Sequence, residues 1–229
     1  MPAATSPSPT PPATRDDLDA EIDRQTAVLL GLGYPRLAGI PERELRTDVE
    51  HLREPLRARL AGGAAPAPGH APFVLVVGGS AVAISARVPL LTLGGRVGTL
   101  SRHFADVDDF APVVTVPGSR VYAVVGVERG EEFCGVRPAE AAATIAERGR
   151  SMLTMEEGIA FLHAYPEALE KNRCFHTGGS RGTDRRVPAL WISDRSPHLG
   201  WCWENNHHTW LGVASAESRI PDGAAPVSH

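Results

Sequence analysis

Apolar positions recur at helical spacing near the start of the chain. Leu18, Ile22, Leu29 and Leu32 share one face, and Gly33 follows as a stop. Asp16 and Asp17 would occupy the first turn of a helix beginning near Thr14, where acidic groups suit the helix dipole. Leu45, Val49, Leu52, Leu56 and Leu60 predict a second amphipathic helix, with Pro55 inside it as an expected kink or break. The two together predict an antiparallel helical hairpin over residues 15–62.

The period then changes. Phe73–Val77 is a continuous apolar run, which predicts a buried strand. Val82, Ile84, Ala86 and Val88 alternate, so residues 81–88 read as another strand. Val113–Val116 and Val121–Val127 predict a hairpin around Pro117-Gly118, a dipeptide suited to a type II turn. Ser101–Phe110 is a polar loop anchored by Phe104 and Phe110. Pro138–Arg148 predicts a short helix with proline at its start. Thr154 and Glu157 form a capping box for the next one, which continues through Ile159 and Leu162 towards Pro166. Strands follow at Val187–Ser193, Leu199–Glu204 and Thr209–Ser215. The expected fold is α+β, with a mainly antiparallel sheet, flanking helices and the N-terminal hairpin. One domain is expected over residues 14–216. Residues 1–13 are Pro, Ser, Thr and Ala and are expected to be disordered; 61–71 read as a linker; 217–229 read as a flexible tail.

Composition narrows the classes. In 229 residues, 42% hydrophobic and 22% charged content can bury a core without disulfides. A formal charge of -4 leaves no footprint for nucleic acid or an acidic membrane. Three cysteines, an odd number in a chain this long, favour free thiols and a reducing compartment. The first residues have no basic start or apolar core, and no apolar run reaches spanning length. A cytoplasmic location is the expectation.

The candidate chemistry is concentrated in Cys174–Gly212, which holds all four tryptophans, two of three cysteines and four of nine histidines. Pairing Val187–Ser193 with Leu199–Glu204 around an Asp194–His198 loop places Trp191 opposite Trp201 and Ala189 opposite Trp203, all on one face. Trp210 could join that aromatic platform. The platform either lines a cavity or packs as ordinary core. Gly178–Gly182 matches the G-x-S-x-G nucleophile elbow around Ser180, but a helix precedes it and a strand follows, the reverse of what an elbow needs. As a glycine-rich loop it could instead hold an anion with Arg181, or simply be a surface loop. Arg181, Asp184, Arg185 and Arg186 read either as a solvated turn or as an anion grip with an acid–base carboxylate. His207 and His208, after Asn205 and Asn206, read either as proton-transfer groups or as an exposed turn. Cys174, His176, His198, Cys202, His207 and His208 match no standard zinc spacing, and no metal is expected. Gly94, Gly95 and Gly98 form no dinucleotide fingerprint, and no cofactor is expected.

The stretches RGRSMLTMEEGIAFLHAYPEAL, GSRGTDRRVPALWIS and LGWCWENNHHTWLG resemble an uncharacterised bacterial family, mainly of actinomycetes, known only as a domain of unknown function. The resemblance covers about Leu18 to Ser215. It implies a cytoplasmic bacterial protein and carries over no activity and no catalytic residue.

Three functional readings follow. The first is a cofactor-independent enzyme on a small polar or anionic metabolite. Arg181 or Arg185 would hold the anion, with Trp191, Trp201, Trp203, Trp210, Asn205 and Asn206 around the substrate. Asp184 with His207 or His208 would move the proton, in a hydrolysis, elimination, isomerisation or cyclisation. The second is a non-catalytic protein that binds a small ligand in the same place. The third is a partner-binding module, such as a homodimer, that uses the Trp-rich face.

Overall fold

The computed structural model describes residues 15–60, 67–79 and 82–223. The tail over 1–13 and most of the expected linker lie outside the described residues. Helix α1 (Arg15–Gly31), the short α2 (Tyr34–Leu37) and α3 (Glu42–Leu60) open the chain. Gly33, at φ 77, turns the backbone out of α1 in a left-handed conformation that glycine adopts without strain. Asp19, early in α1, pairs with Arg57, late in α3, at 2.5 Å, so the hairpin is antiparallel. Pro55 does not break α3, which runs through it with Leu52 and Leu56 fully buried on either side.

Two five-stranded sheets carry the rest. The first joins β1 (His70–Val77) to β6 (Val121–Glu128) and continues through β13 (Ser215–Ala216) to β7 (Ser151–Met152), while β14 (Ser218–Pro221) also pairs with β6. The second runs β12 (Leu211–Val213), β8 (Cys174–His176), β10 (Arg186–Ser193), β11 (Ser196–Trp203) and β4 (Thr99–Leu100). Only the β12–β8 and β11–β4 contacts are parallel, so the fold is α+β and mainly antiparallel, as the periodicities imply. Small pairs complete it: β2 (Thr92–Leu93) with β3 (Arg96–Val97), and β5 (Ala111–Pro112) with β9 (Ser180–Arg181). Helices α4 (Ile84–Arg87) and α5 (Pro138–Glu147) lie outside the sheets. Among the described residues no helix is long and apolar enough to cross a membrane.

The layering follows from which faces are apolar. Phe73, Leu75, Val77, Val121, Ala123 and Val125 on one face of the first sheet pack with Ile22, Leu45, Val49 and Leu52 of the helical hairpin. Val74, Val76, Tyr122 and Val124 on its other face pack with Ile159 and Leu162 of α6 (Met155–Ala164). Phe175, Leu190 and Leu199 of the second sheet join the same core, so α6 lies between the two sheets. This is why most of its residues are buried, unlike an amphipathic surface helix. Gly158 lets β8 approach: a Cβ there would lie 2.3 Å from Thr177 Cγ2. The free edge of β1 is closed by Gln25 from α1, whose side-chain amide donates to Phe73 O at 3.1 Å and accepts from Leu75 N at 2.8 Å.

Several expectations are corrected. Residues 82–88 form no strand: α4 is followed by a 3-10 turn at Val88–Leu90. The chain must coil there because Arg87, 1% exposed, reaches back to donate to Val77 O and Val82 O. The expected 113–127 hairpin is absent. Strand β6 pairs with β1, Val121 facing Val77, because that eight-residue apolar strand offers a longer ladder than a segment bounded by Pro112 and Pro117. The last expected strand is split between the two sheets, as β12 and β13. The supposed loose tail from Glu217 includes β14, and the supposed linker ends at β1, which already contains His70 and Ala71.

Candidate functional site

The hairpin of β10 and β11 decides where the tryptophans go. It turns through Asp194 and Arg195 alone, at φ 50 and 66, the left-handed pair of a two-residue hairpin turn. Ser193 therefore faces Ser196, Trp191 faces His198, Pro188 faces Trp201 and Arg186 faces Trp203. The expected Asp194–His198 loop and the pairings Trp191–Trp201 and Ala189–Trp203 are overturned. Facing residues share a side of a ladder and successive ones alternate, so Trp191 lies on one face and Trp201 and Trp203 on the other. No single platform exists.

Trp201 and Trp203 belong to a polar clasp. Their rings meet edge to face at 4.9 Å, and Trp201 Nε1 donates to His103 O at 2.8 Å. Arg186 stacks over Phe104, Phe110 and Trp201, and donates to both carboxylate oxygens of Asp106. Asp184 accepts from Arg186 N at 2.9 Å and from its Nε at 2.6 Å. These partners hold the Asp106 carboxyl below its ordinary range, and the Arg186 hydrogen bonds are the cause. Arg185 pairs with Glu204 at 3.4 Å. Arg181 donates to Arg186 O at 3.4 Å, and burial lowers its guanidinium pKa. Ser180 is buried and its Oγ accepts from Met155 N at 3.0 Å, which satisfies a backbone N–H at the start of α6. Asn205, Asn206 and His207 are exposed. Among the described residues neither His207 nor His208 has Asp184 as a hydrogen-bond partner. Asp184 is instead engaged by Arg186, and His208 by the ring of Trp210.

The opposite face of the second sheet holds a hollow. Trp191 and Trp210 meet edge to face with centroids 6.3 Å apart, and His208 lies against Trp210 at 5.4 Å. Gly200 makes room for the Trp191 indole, since a Cβ there would lie 2.2 Å from the ring. A cavity of about 730 Å³ opens against these indoles, completed by Leu93, Ile192, Cys174, Asn172, Lys171 and Arg195. Among the described residues Lys171 and Arg195 have no ion-pair partner, whereas Glu170 and Arg173, which flank Lys171, are paired. Cys174 donates to Glu170 O, and burial pushes its thiol up, away from thiolate reactivity. Burial raises Cys202 to about 11. His176 sits one residue pair along the same face, donates from Nδ1 to Gly212 O at 2.9 Å, and is lowered to about 4 by burial, so it stays neutral. Among the described residues no three His, Cys, Asp or Glu side chains gather in a way that could hold a metal.

A family model of unknown function matches residues 28–222. The chain belongs to DUF5701. No curated protein and no solved structure matches it. Membership in DUF5701 assigns no activity, so the geometry of this chain has to carry the reading. Of the residues expected around a substrate, Trp191 and Trp210 line the hollow, and Cys174, weighed above as a metal ligand, lines it as well. Sequence reasoning missed Lys171, Asn172 and Arg195. A signal existed: Lys171 is the one lysine in the chain, where every other long cation is arginine.

Proposed function

We propose that this DUF5701 protein binds a small organic anion with a flat apolar body in the Trp191–Trp210 hollow. The observation that carries the reading is the pair of unpartnered cations, Lys171 and Arg195, at the mouth of a cavity walled by two indoles. Indole faces favour planar apolar groups, and cations without a local counter-ion favour a carboxylate or phosphate. The volume suits a small metabolite. Binding is favoured over catalysis because Asp184 is committed to Arg186 and the thiol that lines the hollow is held protonated. The three free cysteines support placing the protein in a reducing cytoplasm.

Isothermal titration with benzoate tests the reading, with benzyl alcohol as the uncharged control. Benzoate binding that is lost in Trp210→Ala and weakened in Lys171→Met supports it. Binding indifferent to both substitutions, or no binding to the folded wild-type chain, overturns it.

A further inference from the structure

A second cavity, of about 610 Å³, opens at the N-terminal end of α6 and shares no residue with the indole hollow. Its walls include Val82, Ile84, Phe110 and Val116, so it is largely apolar. Among the described residues its charged lining is Asp108 and Glu156, with no Lys, Arg or His.

The two adjacent glutamates of α6 differ sharply. Glu157 is fully engaged: it accepts from Thr154 N at 2.8 Å, Tyr122 Oη at 3.0 Å and Arg219 Nε at 2.5 Å. These contacts account for its place in the capping box and the core. Glu156 has no such account. Its Oε2 is shut off from solvent and has no hydrogen-bond partner among the described residues. Its position in the first turn suits a negative charge but supplies no donor to that oxygen. A shielded, unpaired carboxylate oxygen is costly, and a ligand donor would relieve it. Asp108 is oriented by Ser85, whose N donates at 2.9 Å and whose Oγ donates at 2.5 Å. An oriented carboxylate keeps further lone pairs for a second donor. The buried guanidinium of Arg87, in α4, donates from Nη1 to Val77 O at 2.7 Å and from Nε to Val82 O at 3.1 Å, while its Nη2 has no hydrogen-bond partner among the described residues.

We infer that this cavity is a second binding site, for a small molecule carrying an ammonium group on a compact apolar body. The ammonium donates to Glu156 Oε2 with Asp108 as the further acceptor, and the apolar body rests on Val82, Ile84, Phe110 and Val116. The inference is independent of the indole hollow, because the charge is opposite and the walls are separate.

Isothermal titration of the full chain with benzylamine tests it. The wild type should bind, and Glu156→Gln should weaken binding by about tenfold or more, as loss of a charge-assisted hydrogen bond does. Val116→Phe, a rim substitution that leaves the helix untouched, should weaken it as well by filling the cavity. Trp210→Ala should leave it unchanged. Benzylamine that binds Glu156→Gln and Val116→Phe as tightly as the wild type, or that fails to bind the folded wild type at millimolar concentration, overturns the inference. Failure of benzoate to bind would count against the indole hollow alone.

Discussion

The two cavities are similar in volume, about 730 and 610 Å³, and opposite in charge. The first has an indole wall on the outer side of the second sheet and two unpartnered cations. The second has mixed aliphatic and aromatic walls at a helix start and two carboxylates. Apolar area makes each of them a hollow, but a few charges decide what each could admit. In both, the informative groups are those left without a partner. Lys171 stands between the paired Glu170 and Arg173, and Glu156 stands beside the fully satisfied Glu157. Lys171 and Arg195 are exposed and can be solvated, so their weight comes from their place at the indole cavity, whereas Glu156 Oε2 lacks both a partner and solvent.

The largest expected effect separates Glu156 from Glu157. Glu157→Gln leaves Arg219, itself 8% exposed on its side chain, without its counter-charge, and should cost about 3–5 kcal/mol in urea unfolding. Glu156→Gln should cost less than about 1 kcal/mol, because Oε2 has no hydrogen bond to lose. Equal losses would erase the distinction between a structural and a ligand-seeking carboxylate.

Next comes pH. His176 has its folded pKa lowered from the ordinary 6.5 to about 4, because burial disfavours the imidazolium. The unfolded chain therefore takes up a proton that the folded chain refuses. The stability is fully present above pH 6.5 and falls as the pH drops towards 4, by on the order of 3 kcal/mol. His163, lowered to about 3 mainly by burial, adds a loss of the same sign. Asp106, lowered by Arg186, contributes only as the pH falls through its ordinary 3.8 and below. Melting temperature followed across this range should show the decline, and His176→Asn should make it shallower while leaving the His163 part. An unchanged slope in that variant would mean that the face beneath the indole hollow is wet.

A smaller effect addresses the hollow itself. Lys171→Met combined with Arg195→Met should weaken benzoate by about 1–2 kcal/mol, roughly tenfold, in titration calorimetry while leaving benzylamine alone. A loss of both ligands would mean that the two cavities are coupled. The smallest expected effect is that of Trp203→Ala. This residue is 46% exposed on the opposite face, and benzoate affinity should stay within about 0.3 kcal/mol of the wild type. A larger change would restore the single aromatic platform that the strand register rules out.

Local signals survived the passage from sequence to structure where their physics is local. The capping box at Thr154 and Glu157 is present with both of its hydrogen bonds. Gly33 ends the first helical stretch, and the Val187–Ser193 and Leu199–Trp203 segments are strands. The candidate site was less legible. Both faces of β10 are apolar, so the pattern did not specify a register, and the turn that does specify it consists of Asp194 and Arg195 rather than glycine or asparagine. Moving the pairing by an odd number of residues exchanges the faces, which took Trp191 away from Trp201. The alternation over Val82–Val88 misled for a related reason. It looks like a strand, but the Arg87 guanidinium needs the carbonyls of Val77 and Val82, and only a coiled chain delivers it there.

By itself the sequence determined the α+β class, the helical hairpin, the capped central helix and the crowding of indoles and imidazoles into the last quarter of the chain. These depend on periodicity and on neighbours a few residues apart. Only the tertiary structure decided which charges lack partners and which indoles share a hollow. Lys171, Trp191, Arg195 and Trp210 become neighbours only through strand register, and Asp108 and Glu156 meet only where a loop crosses the start of a buried helix. Pairing between side chains is a non-local property, and no reading along one dimension contains it.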